Sequence, residues 1–322
     1  MYMFKIGTQK LENQLILAPM AAVNCSAFRL LCKEYGAGLV TTQMFHCNLI
    51  STVFNEDKPK FERLLGIQEK ERPLSIQIVG ADKEKIKEST LILNDYADII
   101  DFNLGCPDKD ILAGKAGAFF SKHPEQIPKV IKPLIENSKK PITAKIRIGW
   151  DDKTITVFEQ AKILEDLGVN AIAIHGRTAK QGYQGNADWD LIKKVKEKAN
   201  IPIIGNGDIF KPGTAKALLD KSKVDFLMIG RGVLGNPILF KQIDYLLKNG
   251  KNMHEPSSRE RQAVFSRFAE LYKQNTGQFS ISEFRNHAMW FTKSVQNARF
   301  IRNQIMTIDD FDKIIEIVKS SF

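Results

Sequence analysis

Gln14-Leu15-Ile16-Leu17-Ala18-Pro19-Met20-Ala21 decides between two α/β folds. The stretch is apolar on both faces of an extended chain, as in a strand covered from both sides. It ends in Ala-Pro-Met-Ala, where a doubly wound nucleotide-binding sheet would turn through a Gly-x-Gly-x-x-Gly loop. Seven similar runs follow: GLVTTQ (38–43), LSIQIV (74–79), IIDFNL (99–104), ITAKIR (142–147), AIAIHG (171–176), IPIIGNG (201–207) and FLMIGRG (226–232). They recur about every thirty residues, the repeat length of a βα unit. Between them, segments such as 154–167 (TITVFEQAKILEDL) and 189–198 place apolar residues at helical i, i+3, i+4 steps. Eight strands without a glycine-rich first turn predict a closed (β/α)8 TIM barrel rather than an open sheet.

After Pro237 the pattern changes. Residues 238–322 hold helical periodicities, broken at Asn249-Gly250, at Glu255-Pro256-Ser257-Ser258 and at 274–278. Ser257 or Ser258 ahead of Arg259-Glu260 reads as a helix start. The expected organisation is a catalytic barrel over 1–240 and a small helical domain over 241–322. A chain of 322 residues is long enough for both.

Lys and Arg exceed Asp and Glu by 47 to 37, a net charge of +10. That excess fits a polyanionic partner, or simply a basic surface. The stretch from Phe284 to Ile308 has no acid and interleaves Arg285, Lys293, Arg299 and Arg302 with Phe284, Trp290, Phe291 and Phe300. Cations among aromatics can grip a phosphate backbone and stack bases, and the cluster points to RNA. Cys25, Cys32, Cys47 and Cys106 form no CxxC pair and no metal rhythm, so no metal is expected and a reduced, cytoplasmic protein is. The N-terminal MYMFKIGTQKLENQ has no apolar h-region. The uncharged stretch 35–55 is too rich in Thr, Asn and Gln for a bilayer core, so no membrane association is expected.

Barrel active sites lie where strands end. Here those ends carry Pro19-Met20, Gln77, Asn103 with Cys106, Lys145 with Arg147, His175 with Arg177, Asn206-Gly207-Asp208 and Gly230-Arg231-Gly232. The last two fit the phosphate site commonly built after strands seven and eight, with Arg231 supplying charge. A phosphorylated cofactor such as FMN, or a phosphorylated substrate, would then lie across the mouth. Lys145, inside an apolar strand, could face the N1/C2=O edge of a flavin or form a Schiff base. Gln77 can donate and accept at once, which suits a flavin pyrimidine edge. His175 could contact cofactor or substrate. Cys106, in Asn-Leu-Gly-Cys-Pro, could be a nucleophile or a general acid. No activating His/Asn partner stands nearby in sequence, which favours the acid.

These motifs resemble the tRNA-dihydrouridine synthases over nearly the whole chain. The resemblance rests on Leu17-Ala18-Pro19-Met20-Ala21, Gln77, Asn103-x-Gly105-Cys106-Pro107, Lys145-Ile146-Arg147, Ile174-His175-Gly176-Arg177-Thr178, Gly205-Asn206-Gly207-Asp208 and Met228-Ile229-Gly230-Arg231. His287-x-x-Trp290-Phe291-x-Lys293 in the tail is similar to the family's His-x-x-Trp-Tyr-x-Lys. The resemblance implies bound FMN, NADPH as reductant and specific tRNA uridines as substrate, with hydride passing from flavin N5 to uracil C6. Carried over by residue, it implies that Pro19, Met20, Ala21, Gln77, Lys145 and His175 line or bind the flavin. Asn206, Gly207, Asp208, Gly230 and Arg231 would bind its phosphate, and Cys106 would protonate C5. Asn103, Arg147 and Arg177, with Lys293 and Arg302 of the tail, are the candidate substrate contacts, and a monomer is expected. Three positions depart from the family. Ala22-Val23-Asn24-Cys25 lacks the usual Asp near the first helix, so Asn24 or Ser26 is expected to cap it. Phe291 lacks the Tyr hydroxyl, and Ser294 replaces a Gly. A dihydroorotate-dehydrogenase-like enzyme for a free pyrimidine and a non-catalytic RNA-binding protein are the alternative readings.

Overall fold

The computed structural model describes residues 4–274 and 280–322. Its main sheet has eight strands: β1 (Leu15–Leu17), β2 (Val40–His46), β3 (Leu74–Val79), β4 (Ile99–Asn103), β5 (Ile142–Arg147), β6 (Ala171–His175), β7 (Ile203–Asn206) and β8 (Phe226–Ile229). Each pairs in parallel with its sequence neighbours, and β8 returns to β1. Between β1 and β2 the ring closes at an Ile16–Leu39 bridge, where the Leu17 N–H donates to the Leu39 carbonyl at 2.9 Å. A closed ring leaves no unpaired edge, and its strands must be apolar on both faces. Every residue of β3 and β4 is buried accordingly.

The second strand lies two residues later than its sequence pattern, over 40–46, and carries a bulge between Thr41 and Met44. Two short hairpins have no counterpart in the sequence pattern, because strands of two or three residues show no periodicity. Phe4–Ile6 with Gln9–Leu11 brings Ile6 and Leu11 into the cluster formed by Ile16, Ile99, Ala171, Ile204 and Phe226. Gly149–Asp151 with Thr154–Ile155 precedes the helix Val157–Asp166.

The first barrel helix, Ser26–Glu34, departs from the expected capping. Cys25 is its N-cap and makes no side-chain cap bond. Asn24 instead spends its amide on the carbonyls of Ala18 (2.8 Å) and Thr41 (2.7 Å), tying the loop after β1 to β2. Ser26 accepts from Gln68 at 3.0 Å.

Residue 241 falls inside the helix Ile238–Asn249, which packs against the barrel helix Pro212–Ser222 and ends at Gly250 in left-handed backbone (φ +68°). The tail helices are Ser258–Gln274, Ile281–Phe291, Ala298–Met306 and Phe311–Ser320. The first starts at a reciprocal cap: Ser257 Oγ accepts from the Glu260 N–H, and the Glu260 carboxylate accepts from the Ser257 N–H at 2.8 Å. Phe265, Phe268, Phe284, Phe291, Ile305, Ile314 and Val318 are buried and belong to the same apolar cluster as the barrel's outer layer. Arg267 adds a paired contact to Glu34, at 2.6 and 3.0 Å. The expected break at 274–278 lies largely outside the described residues. Among the described residues no helix is long and apolar enough to cross a membrane.

Candidate active site

The C-terminal ends of the strands open onto one cavity of about 370 Å³. That volume falls within the roughly 300–1,000 Å³ of small-molecule sites. Pro19, Met20 and Ala21 come to its wall from the loop after β1, Gln77 from β3, Asn103 and Cys106 from the end of β4, and Lys145 and Arg147 from β5. His175 comes from β6, Asn206, Gly207 and Asp208 from β7, and Gly230 and Arg231 from β8. Residues up to 212 positions apart therefore share one wall because parallel strands present all their C-terminal ends to one side.

A buried hydrogen-bond chain fixes one side of this cavity. Thr143 Oγ1 and Gln77 Nε2 each donate to the Asp101 carboxylate at 2.6 Å. Gln77 Oε1 accepts from Asn103 Nδ2 at 2.8 Å, and Asn103 Oδ1 accepts from the N–H groups of Gly105 (3.0 Å) and Cys106 (2.8 Å). The chain sets which way both amides face and pins the turn that carries the thiol. Partial burial pushes the Cys106 pKa above its ordinary thiol value, and the nearby Arg147 and Lys145 offset this only in part. The thiol therefore keeps its proton at neutral pH.

Lys145 is half-buried, and its ammonium donates to no protein group among the described residues. Burial and the neighbouring Arg147 lower its pKa to about 8, while Asp101 pulls upward. It is thus a protonated donor facing open space. Burial, with Lys145 and three arginines nearby, holds His175 far below the ordinary imidazole range, so its ring is neutral.

On the opposite side, the backbone N–H groups of Gly207, Asp208, Gly230 and Arg231 have no protein acceptor among the described residues. Together with the Arg231 guanidinium they form a cradle for an anion. Asp208 contributes only its backbone there. Its carboxylate accepts from Arg177 at 2.8 Å and from the Ala187 N–H at 2.7 Å, with Arg231 more distant at 3.5 Å.

The candidate substrate contacts separate. Asn103 and Arg147 reach the cavity wall, but Arg147 already donates to the carbonyls of Gly105, Thr178 and Gly182 at 2.8–3.0 Å. Arg177 does not line the cavity: it is buried beneath it and holds Asp208 and the carbonyls of Gln184 and Gly185. Lys293 and Arg302 lie on the tail. The Lys293 pKa is lowered by partial burial and by Arg302 and Arg231, so a row of cations runs from the cavity edge onto the tail.

Of the four aromatics in the acid-free stretch 284–308, Phe284 and Phe291 are core, Trp290 is half-buried and Phe300 is exposed, at 65%. Arg285 is committed to the Ile308 carbonyl and to Asp309. The sequence reading missed Asp101 and the exposed pair Tyr183 and Phe210, which flank the Arg231 guanidinium at 4.5 and 5.6 Å. A lone acid inside the apolar run IIDFNL was a usable signal for Asp101. The loop QGYQG gave none for Tyr183.

The family model described as "Dihydrouridine synthase (Dus)" matches residues 16–320. The chain belongs to the dihydrouridine synthase family. A member of this family is a flavin-dependent oxidoreductase acting on a CH–CH bond, and the cavity has the donors such a group needs: on one side an ammonium, and on the other backbone N–H groups, that find no protein acceptor among the described residues. The chain is similar to tRNA-dihydrouridine synthase B of Pasteurella multocida, at 35% identity over 95% of this chain and 92% of that one. The namesake enzyme of Vibrio cholerae is 34% identical over 99% and 98%. Among solved structures, the old yellow enzyme homologue of Zymomonas mobilis superposes with a TM-score of 0.55 at 11% identity, covering 79% of this chain and 94% of that one. Morphinone reductase gives 0.55 at 12%, covering 81% and 93%. At such identities these two speak for the barrel fold alone.

Proposed function

We propose that the protein reduces the C5–C6 double bond of specific uridines in tRNA, with FMN held in the cavity and NADPH as its reductant. The observation that carries this reading is that the Cys106 thiol and the Lys145 ammonium open onto one cavity with an anion cradle at its far end. Bound FMN supplies the hydride that adds to uracil C6. Gln77 and Lys145 would hold the pyrimidine edge of the flavin ring, Lys145 favouring negative charge there. The cradle of Gly207, Asp208, Gly230 and Arg231 would hold the phosphate, and Pro19, Met20, Ala21, His175 and Asn206 would shape the pocket. Cys106 would deliver the proton to C5: its raised pKa keeps it protonated, and Asn103 pins its backbone. In this reading Arg147 and Arg177 hold the loops around the uracil pocket, while Lys293 and Arg302 meet the tRNA backbone.

We assign 1–240 to catalysis and 241–322 to tRNA, in a cytoplasmic monomer. The Pasteurella and Vibrio relatives' names support the substrate. Reduction of a free pyrimidine fits the cavity but leaves Lys293, Arg299 and Arg302, which face no acid among the described residues, without a use.

Cys106→Ala tests the chemistry. It should keep the fold, bound FMN and flavin reduction by NADPH, measured by stopped flow. Dihydrouridine formed per tRNA in a single turnover should slow by about 10²–10⁴-fold, the usual loss on removing a positioned general acid. Near-wild-type dihydrouridine formation would remove Cys106 from the reaction.

A further inference from the structure

We infer that the tail helix Ile281–Phe291 braces the cofactor cavity, with His287 as the residue that positions the loop after β1. The inference goes beyond the proposed tRNA role of the tail and rests on the cavity being the flavin site. His287 is fully buried, and its Nε2 lies 3.0 Å from the Val23 carbonyl and 3.7 Å from Cys25 Sγ. Nε2 must carry the hydrogen to serve that carbonyl, which leaves Nδ1 as a bare lone pair. Nδ1 indeed has no hydrogen-bond partner among the described residues, and burial lowers the ring pKa to about 3, so a neutral Nε2–H ring is the form that fits. The ring is clamped between Phe28 of the first barrel helix (5.0 Å between centroids) and Phe268 of the tail (4.6 Å).

What it grips matters. Val23 lines the cavity, and its N–H donates to the carbonyl of Met20, itself on the cavity wall. Ala22, between them, sits in left-handed backbone (φ +55°), a conformation that needs outside support for a residue with a Cβ. One turn on, where Trp290 packs against the His287 ring, the same helix meets the end of the neighbouring strand β8. A Cβ on Gly235 would lie 2.3 Å from the Trp290 carbonyl oxygen, and Gly235 follows directly on Arg231, Gly232 and Leu234 of the cavity wall. Because β8 and β1 are neighbours in the ring, one tail helix spans the seam between the cradle and the Pro19–Ala21 wall.

The test compares His287→Ala, His287→Gln and Ile305→Ala in the full-length protein. Ile305 is buried in the tail core away from the cavity, so it reports what general loosening of the tail does. Hydrogen exchange of the amides in 18–25 is read with and without FMN, and FMN dissociation constants by flavin fluorescence. We expect His287→Ala to speed exchange in 18–25 at least tenfold and to weaken FMN at least tenfold, with thermal stability near that of Ile305→Ala. His287→Gln, which keeps a donor, should recover most of both, and Ile305→Ala should alter neither. Unchanged exchange in His287→Ala, or equal changes in Ile305→Ala, would overturn the brace. Failure of the parent protein to take up FMN would overturn the flavin reading instead, and the exchange data would still judge the brace.

Discussion

Lys145 shows how one side chain can be tuned by its strand. Ala144 and Ile146 beside it are buried, and Arg147 two positions on adds a like charge, so its ammonium is disfavoured and its pKa drops to about 8. If that ammonium serves the flavin, FMN affinity should be flat below about pH 8 and fall as pH rises above it, because binding then requires taking up a proton. Lys145→Met should weaken FMN by about 10- to 150-fold, the equivalent of a charge-assisted contact, and flatten the profile. Folding stability should move the other way. With the folded pKa below the ordinary 10.5, the unfolded chain binds more protons between about 8 and 10.5, so Lys145's contribution to stability rises with pH there. Titrating FMN binding and urea unfolding in parallel separates the two; affinity that holds steady to pH ~9.5 would take Lys145 out of the flavin site. Lys145 was legible because a lysine inside an apolar strand needs a reason. Its neighbour Asp101 carried the same signal, a charge inside an apolar run, but its role was not legible: the partners that make sense of it, Gln77 and Thr143, lie 24 and 42 residues away and meet it only in the folded sheet.

Strands and their ends differ in how much of their role is local. The eight strands were readable because a parallel, doubly covered strand must be apolar throughout, whatever its partners. The turn after β7 depends on backbone geometry that sequence only hints at. Gly207 has φ +133°, and a Cβ there would lie 2.5 Å from the Ala187 Cβ. Gly207 also holds the Trp189 indole through its carbonyl at 3.1 Å. Gly207→Ala should therefore cost about 1–3 kcal/mol of stability, from backbone strain plus displacement of the Ala187 segment, and should loosen FMN with it. Gly182 makes the comparison: it too has positive φ (+57°), but nothing lies within 4 Å of its Cβ position. Gly182→Ala should cost about 1 kcal/mol and leave FMN alone. Urea unfolding and FMN titration of the pair check this, and equal effects would show that strain rather than the close packing governs the turn. The Asn206-Gly207-Asp208 signature was visible from the start, but Asp208's carboxylate, turned away onto Arg177, was not.

Over the whole molecule, charge and the tail decide whether this barrel acts on RNA. The tail was readable as helices, and its acid-free stretch as a candidate surface. Amphipathic periodicity, however, cannot tell which aromatics face the core: Phe284 and Phe291 turned inward, and Arg285 was absorbed by Asp309. What stays outward is Lys293, Arg299 and Phe300, with Arg302 half-buried and donating to the Thr292 hydroxyl; none of them is paired with an acid among the described residues, and Lys293 sits close enough to Arg302 and Arg231 for their charges to lower its pKa. Cations that crowd one another without acids are poised for an anion that relieves the repulsion, and a phosphate backbone does so along a line. Replacing Lys293, Arg299 and Arg302 together by Gln should reduce tRNA affinity, and should lower the slope of log K against log salt by about 2, since each lost phosphate contact removes ~0.7–0.9. FMN retention should not change, because none of the three lines the cavity. Filter binding of tRNA across a salt series, beside FMN fluorescence, gives both readings. A parental salt slope in the triple variant would reduce the patch to a solvated face and return the tRNA contacts to the barrel mouth, to Arg231 and its flanking Tyr183 and Phe210.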